Sequence, residues 1–299
     1  MKTIKYLTLI ISIPAIMSCN KIDSTTPDFS VSVNKNDFNF GDTVRFTLSG
    51  APTNIVFYSG EVGNNYDTRN KFTADGGKPE MTFTSTLAAA SGSSTSSNLS
   101  LLVSNNFNGN YTKADISAAT WIDITSSITI PGANQKVVLT PYTEQGKPLY
   151  VAFRFKTVNP ALVQRLLTIS NFSFKTVYDD QIFENAKYVY DAGFGAFDFA
   201  GEVGKWVIPI TSNVNDSFTH PLVDANAPAD EDWAISKPFE TNRINPSTGV
   251  AIKNISNPLI TNYNYVFSKA GTYKVVFVGS NSTNKDYKEV LKEFTITVK

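Results

Sequence analysis

Short runs in which apolar and polar residues alternate recur from residue 29 to the end of the chain, and they constrain the fold more than any other feature. Alternation at every second residue is typical of strands with one buried face. It is clearest in Phe29–Val33, Val44–Leu48 and Phe294–Val298. Helical periodicity is scarce, and its best candidate is one or two turns at Ala161–Leu167. The pattern predicts an all-β protein built from hairpins and sandwich sheets.

Composition limits the class of protein further. Cys19 is the only cysteine, so no disulfide can join two parts of the chain. Removing residues 1–18 takes away Lys2 and Lys5 and leaves 281 residues with 24 basic and 26 acidic side chains. At roughly 100–200 residues per domain, this length allows about two hydrophobic cores. Bulk charge does not recruit nucleic acid or an anionic membrane, so we expect no nucleic-acid partner.

The amino-terminal segment has the pattern of an export signal. A positive start is followed by an apolar run that ends at Ser18, immediately before Cys19. This arrangement is typical of a secretory signal rather than a membrane span. It resembles a bacterial lipoprotein signal, in which the cysteine becomes the lipidated first residue of the mature chain. The resemblance implies a signal peptide at 1–18, a lipid on Cys19 as the membrane attachment and a tether at 19–28. The alternative is a free cysteine after an ordinary signal peptide.

The two ends of the chain together resemble one sandwich domain. Gly41–Leu48, followed by Ile55–Glu61, is similar to the first half of a PKD or immunoglobulin-like domain. Tyr263–Phe277 with Lys292–Val298 is similar to the last three strands of the same fold. Each half alone has too few strands to close a sandwich. We therefore predict a discontinuous PKD/Ig-like β-sandwich of residues 29–80 and 232–299. The alternative is two separate small sandwiches.

The middle of the chain resembles a second sandwich. Four segments follow one another in the order found in jelly-roll modules of bacterial surface proteins, including cleaved-adhesin and galactose-binding-like domains: Leu99–Gly109, Ala119–Thr125, Leu149–Lys156 and Leu167–Phe174. The resemblance implies an inserted jelly-roll β-sandwich at residues 81–231, with Trp121 in its core. Motifs of this kind predict a fold and only weakly a ligand.

Taken whole, the chain resembles uncharacterised Bacteroidota surface lipoproteins, a domain of unknown function often encoded beside glycan-uptake genes. That family has no established catalytic residues, so none are carried over. Lys21 and Asp23 partly resemble the signal that directs such lipoproteins to the cell surface. The resemblance implies a protein that is lipid-anchored in the outer membrane and faces the cell exterior.

Enzymatic function lacks the usual residues. His220 is the only histidine. The residue before a proline is biased to extended or turn conformations, and we expect a loop histidine here rather than a catalytic one. A Ser-His-Asp triad would need a nucleophile elbow, and no Gly-x-Ser-x-Gly sequence precedes a helix. A glycoside hydrolase needs only two carboxylates, so it stays a lesser alternative. The candidates by residue type are Glu61, Glu184, Glu202 and Asp230-Glu231-Asp232.

A structural calcium ion is the only cofactor that we consider. Asp224, Asp230 and Asp232, with Glu231, place hard oxygen ligands within nine residues. Their spacing is not that of a known calcium loop, and a solvated acidic linker is the alternative. Transition-metal sites need several His or Cys ligands, and the sequence offers too few to predict one.

Exposed aromatic rings are the residues that a sugar-binding site needs most, because they stack on the apolar face of a pyranose. The candidates are Trp206, which follows a loop-like run, Trp233, which follows the acidic cluster, and Tyr188 and Tyr190 beside a turn. Core packing is the alternative for each of them. We therefore predict a non-catalytic envelope lipoprotein that binds surface glycans in support of polysaccharide uptake. The alternative is a structural or adhesive spacer, or an accessory subunit, that binds another outer-membrane protein.

Overall fold

The computed structural model describes residues 24–88, 98–178, 181–209 and 217–299. The predicted signal peptide and Cys19 lie outside these residues. Contacts divide the chain into two units, which we call unit 1 (residues up to Tyr66, with Gly249–Lys299) and unit 2 (Asp67–Thr248). Each unit contains two β-sheets, so the predicted all-β class is confirmed. The described residues contain no helix long and apolar enough to cross a membrane.

Unit 1 has a three-stranded and a five-stranded sheet, in the orders β1-β3-β16 and β15-β4-β17-β18-β2. All pairs are antiparallel except β2 with β18. Alternating residues of β3, such as Phe46, point into a core with Phe57 and Phe277. The strands are β1 Phe29–Val33, β2 Asp37–Phe38, β3 Val44–Gly50, β4 Asn54–Tyr58, β15 Val250–Lys253, β16 Asn262–Tyr265, β17 Gly271–Ser282 and β18 Tyr287–Val298.

Unit 2 has two five-stranded sheets. Sheet A has the order β11-β10-β5-β8, with β13 also paired to β10, and sheet B has the order β12-β14-β9-β6-β7. Its described residues contain one α-helix, α1, at Lys113–Ala118. The strands are β5 Lys78–Ala88, β6 Leu99–Ser104, β7 Ile122–Asp123, β8 Gly132–Val138, β9 Tyr150–Lys156, β10 Leu166–Tyr178, β11 Gln181–Ala186, β12 Gly195–Ala200, β13 Ser217–His220 and β14 Glu231–Ile235. Short 3-10 turns lie at Tyr66–Thr68, Thr125–Ser127, Thr140–Tyr142 and Tyr190–Ala192.

The core of unit 2 lies between sheets A and B. Phe153 of β9 has no exposed surface, and its ring contacts those of Phe83, Phe172, Phe194 and Phe218 at centroid distances of 5.2–6.4 Å. Such tilted and edge-to-face pairs add to the hydrophobic gain of burial. The sheets are therefore joined by an aromatic core.

The two units differ from the predicted domain boundaries at 80/81 and 231/232. β5 begins at Lys78 and pairs with β8 and β10 of sheet A. β14 pairs with β9 and β12 of sheet B. The backbone hydrogen bonds of these strands therefore place residues 78–80 and 232–235 in unit 2, which extends from Asp67 to Thr248.

The predicted helical segment at 161–167 is wrong. Gln164 exchanges two backbone hydrogen bonds with Val223, at 2.8 and 3.2 Å, and Leu166 already begins β10. An extended backbone therefore forms there, because pairing with a distant segment satisfies its polar groups better than one isolated helical turn does.

Candidate functional site

The central strand of sheet B presents two different faces. Val151, Phe153 and Phe155 of β9 point into the core of unit 2, whereas Tyr150 and Ala152 belong to a second apolar cluster on the opposite face. Successive side chains of a strand point to opposite faces, so Arg154 lies on that second face as well. We call this second side of sheet B the outer face.

A folded segment between β6 and β7 covers part of the outer face. The Ser104 hydroxyl accepts hydrogen bonds from the backbone N–H groups of Asn106 and Phe107, which turns the chain after β6. Thr112 caps α1 by accepting from the Asp115 N–H at 3.1 Å. The helix then buries Ile116 against the sheet. This short helix was not predicted, because six residues give only one buried contact and no period to detect.

Two tryptophan rings meet at the edge of this segment. Trp121 is half-buried, and its ring centroid lies 5.1 Å from that of Trp233 on β14. The Trp121 indole N–H donates to the Ile116 carbonyl at 3.0 Å, and that of Trp233 donates to a Glu231 carboxylate oxygen at 3.1 Å. Phe199 of β12 adds a third ring 6.1 Å from Trp233. Because both indole N–H groups are bonded, the rings are held in fixed orientations.

These rings line a concavity of about 350 Å³, which we call the outer-face groove. Its aromatic lining is Trp121, Phe199 and Trp233, its apolar lining is Leu102, Ile116 and Ala119, and its polar lining is Ser117, Asp123 and Arg154. The volume lies at the small end of the range for ligand pockets, about 300–1,000 Å³. Six of the nine lining residues are apolar or aromatic and three are polar, so the groove offers both kinds of contact that ligand sites use.

Arg154 gives the groove its positive charge. Its guanidinium lies 5.6 Å from the centre of the Trp233 ring, and its Nη2 donates to Ser100 Oγ at 3.3 Å. Its Nε is buried and has no hydrogen-bond partner. The Arg154 side chain lines the groove, where a positive guanidinium can bond hydroxyl or carboxylate oxygens of a ligand.

The structure separates the aromatic residues that the sequence proposed as ligand contacts. Trp233 lines the groove although it is only 4% exposed. Trp206 is 3% exposed and lies in the core of unit 2, where its ring packs 5.3 Å from Phe218. Tyr188 and Tyr190 lie at a 3-10 turn and do not line the groove. Trp121, expected in the core, is a wall of the groove, because it directly precedes β7, the edge strand of sheet B.

The acidic candidates divide in the same way. Asp224 is exposed, whereas Asp230 and Asp232 are buried. They lie with His220 in a cluster whose ligand atoms are all within 4.8 Å of one another. Asp224 is not part of this cluster. Of the glycosidase candidates, Glu61 accepts hydrogen bonds from Tyr265 and Ser268 in unit 1, and Glu184 and Glu202 are exposed in unit 2.

His220 is not a loop residue. It ends β13, which pairs with β10 through His220 and Leu167, and its side chain has no exposed surface. Its Nδ1 lies 3.0 Å from the Pro221 carbonyl, which can only accept, so Nδ1 carries a proton. Its Nε2 lies 2.9 Å from Asp232 Oδ2.

Burial disfavours the charged forms of both His220 and Asp232. It lowers the pKa of His220 to about 4 and raises the pKa of Asp232 to about 7. Burial, with the charge of Asp232, also raises the pKa of Asp230 to about 6. The two shifts favour a neutral hydrogen bond between His220 and Asp232 over an ion pair.

Comparison with known proteins gives a family and no activity. A search of curated proteins finds no match, and neither does a search of solved structures. A family profile described as "Domain of unknown function (DUF5017)" matches residues 18–194, more than half of the 299 residues. The match includes Trp121 and Arg154 of the groove and ends before Phe199 and Trp233. The predicted membership of an uncharacterised family is thus confirmed: the chain belongs to the DUF5017 family.

Proposed function

We propose that this chain is a non-catalytic envelope lipoprotein that binds a glycan in the outer-face groove. The observation that carries the proposal is the half-buried Trp121 ring, which is held against the buried Trp233 ring beside Arg154 and Asp123. Aromatic rings stack on the C–H face of a sugar, while charged groups bond its hydroxyls. The groove combines both kinds of contact within about 350 Å³, which suits a short saccharide segment.

The charged groups of the groove favour binding over hydrolysis. Glycosidases of the two common classes place a pair of carboxylates on either side of the scissile bond. Among the described residues that line the groove, Asp123 is the only acidic one, and its Oδ1 already accepts from the Thr125 N–H at 2.9 Å. A neutral polysaccharide with hydroxyl groups, or one with occasional carboxylates opposite Arg154, is the ligand class that fits.

The location and finer fold also belong to this proposal. The export pattern that ends at Cys19 supports a lipid anchor in the outer membrane, and Lys21 with Asp23 supports display on the cell exterior. The sheet pairs of unit 1 and unit 2 are compatible with a PKD/Ig-like sandwich and a jelly roll, respectively. Replacing Cys19 by serine should release the protein from the membrane fraction and abolish incorporation of a labelled fatty acid.

Binding is tested with a glycan array and with affinity gels that contain plant or host polysaccharides. The purified protein should be retained by at least one glycan, and Trp121→Ala and Arg154→Ala should each lose that retention. Tyr190→Ala is the matched control, because Tyr190 is an exposed aromatic residue that does not line the groove. Retention of no glycan, together with recovery of an outer-membrane protein from pull-downs, would establish the spacer or accessory role instead.

A further inference from the structure

A buried cluster of three ligating side chains lies in unit 2, on the side of β14 opposite the groove. Trp233 of β14 points to the outer face, and the next residue in either direction points to the other side. One of these neighbours is Asp232, which meets His220 and Asp230 there. We propose that His220, Asp230 and Asp232 bind a divalent transition-metal ion, with Zn²⁺ as the best match.

The ligand atoms already have the spacing that such a site needs. The His220 Nε2 and Asp232 Oδ2 are 2.9 Å apart, and all three ligand atoms lie within 4.8 Å of one another. With metal–ligand distances near 2.0–2.2 Å, tetrahedral ligands of Zn²⁺ stand roughly 3.3 Å apart. Small side-chain shifts would therefore place the three atoms around one ion.

Two unpartnered oxygen atoms point independently to a ligand. The Oδ1 atoms of Asp230 and Asp232 are buried and have no hydrogen-bond partner, and the two residues are 2% and 0% exposed. Buried carboxylate oxygens in folded proteins are nearly always paired with a donor or bound to a metal. A cation bound between the two carboxylates would accept lone pairs from both of these unpartnered oxygen atoms.

The histidine is held as a metal ligand usually is. Its Nδ1 donates to the Pro221 carbonyl, which leaves the Nε2 lone pair facing the carboxylates. The ring stacks on Phe155 at 3.7 Å, with an angle of 11° between the planes, and meets the Trp206 ring at 5.4 Å. A backbone acceptor on the second ring nitrogen and a packed ring are the surroundings that fix the tautomer and orientation of ligating histidines.

The loop that follows β12 packs its backbone against the Asp230 carboxylate. The Gly204 N–H donates to Asp230 Oδ2 at 3.2 Å, and a Cβ at Gly201 would lie 2.4 Å from Asp230 Oδ1. Gly201 also has a φ of +117°, which other residues rarely adopt. Only glycine therefore allows this loop to close over the cluster.

The ligand set selects the kind of ion. A nitrogen donor with two carboxylates suits Zn²⁺ or Mn²⁺, whereas Ca²⁺ takes six to eight oxygen ligands. Two carboxylates and one divalent ion sum to zero charge, so the buried site would be neutral with an uncharged His220. This differs from the calcium site expected at Asp224, Asp230 and Asp232, because Asp224 lies outside the cluster and a histidine takes its place.

The first test uses the unmodified protein. After treatment with a chelator, it is unfolded in urea, refolded with Zn²⁺, Co²⁺, Mn²⁺, Ca²⁺ or no metal, and dialysed. We expect about one bound Zn²⁺ or Co²⁺ per chain and, at roughly 100 times Kd, a melting temperature about 5–10 °C higher. Bound Co²⁺ should show visible ligand-field absorption. Absence of bound metal and of a thermal shift with all four ions would overturn the proposal.

Variants then locate the ion. Asp230→Asn and His220→Gln should each lose the thermal shift with Zn²⁺, whereas Asp224→Asn, a nearby exposed aspartate, should keep it. If a cluster variant fails to fold, the Co²⁺ spectrum of the unmodified protein still shows whether the protein binds a transition-metal ion. A shift that survives both cluster variants, or one that only Ca²⁺ causes and Asp224→Asn removes, would place the ion elsewhere. None of these measurements uses a glycan, so the outcome is independent of the binding proposal.

Discussion

The two sheets of unit 2 share one core but differ on the faces that point away from it. On sheet A, Glu80 of β5 lies between Lys136 and Lys175, and Thr82 bonds Ser173 through their hydroxyls at 2.8 Å. On sheet B, the corresponding face carries tryptophan and phenylalanine rings around a concavity. On the outward face of sheet A, charged groups and hydroxyls pair with one another. The outward face of sheet B instead has apolar rings with polar groups beside them. A concavity lined by aromatic rings with polar groups beside them is a candidate binding surface.

The shared core should produce the largest effect. Phe153→Ala removes a ring that contacts both sheets and should lower the free energy of unfolding by about 3–5 kcal/mol, because a cavity replaces the side chain. Urea denaturation followed by circular dichroism measures the change. A loss below about 1 kcal/mol would mean that sheets A and B do not depend on one core.

Trp121→Ala tests the aromatic face of sheet B. We expect the affinity for the retained glycan to fall at least about tenfold, roughly 1.4 kcal/mol, because one stacking surface is lost. The free energy of unfolding should change less than in Phe153→Ala, since Trp121 is only half-buried. Calorimetry gives the affinity, and unchanged binding with a folded variant would remove Trp121 from the site.

Glu80→Gln tests the charged face of sheet A. Burial alone would raise the pKa of Glu80, but hydrogen bonds and charge from Lys136 and Lys175 outweigh it and hold the pKa below 4.5. The carboxylate therefore stabilises the fold above its unfolded pKa, and this contribution disappears as pH falls through the lowered folded value. The variant should lose about 1 kcal/mol at pH 7. Urea titrations measure the difference in free energy of unfolding between the variant and the unmodified protein, and this difference should be smaller at pH 3 than at pH 7. An equal difference at the two pH values would contradict the charge pairing.

Thr82→Ala should have the smallest effect. It removes one hydroxyl pair on a half-buried polar face, and such cross-strand pairs contribute about 0.2–1 kcal/mol. Glycan retention should stay unchanged, because Thr82 does not line the groove. Thermal unfolding and an affinity gel check both points. Loss of retention in this variant would show that sheet A, rather than sheet B, carries the binding surface.

Local patterns predicted the strands well and the site only in part. The runs at Phe29–Val33 and Val44–Leu48 lie within β1 and β3, because alternation records a buried face directly in the sequence. Which face of which sheet a ring occupies depends on pairing between distant strands. Trp206 and Trp233 are equally buried, yet one fills the core and the other lines the groove.

The metal-ligating cluster shows the same limit. Asp230 and Asp232 could be proposed from their spacing, because both lie close together along the chain. His220 could not, because a residue before a proline is biased to either an extended or a turn conformation, and only the pairing of β13 with β10 makes it part of a sheet. Its pairing with Asp232 is set by tertiary structure, for which no local pattern exists.

The insertion of unit 2 within unit 1 has a consequence for biosynthesis. β3 and β4 are made early, and β3 can pair with β1, but their other partners β15, β16 and β17 all follow residue 249. Unit 2 can complete its own sheets before then, and its first and last segments meet where Thr68 and Ser247 share a hydroxyl hydrogen bond of 2.8 Å. A folded unit 2 thereby brings two distant stretches of polypeptide together and lowers the entropic cost of joining them. We therefore expect unit 2 to fold before unit 1 during biosynthesis.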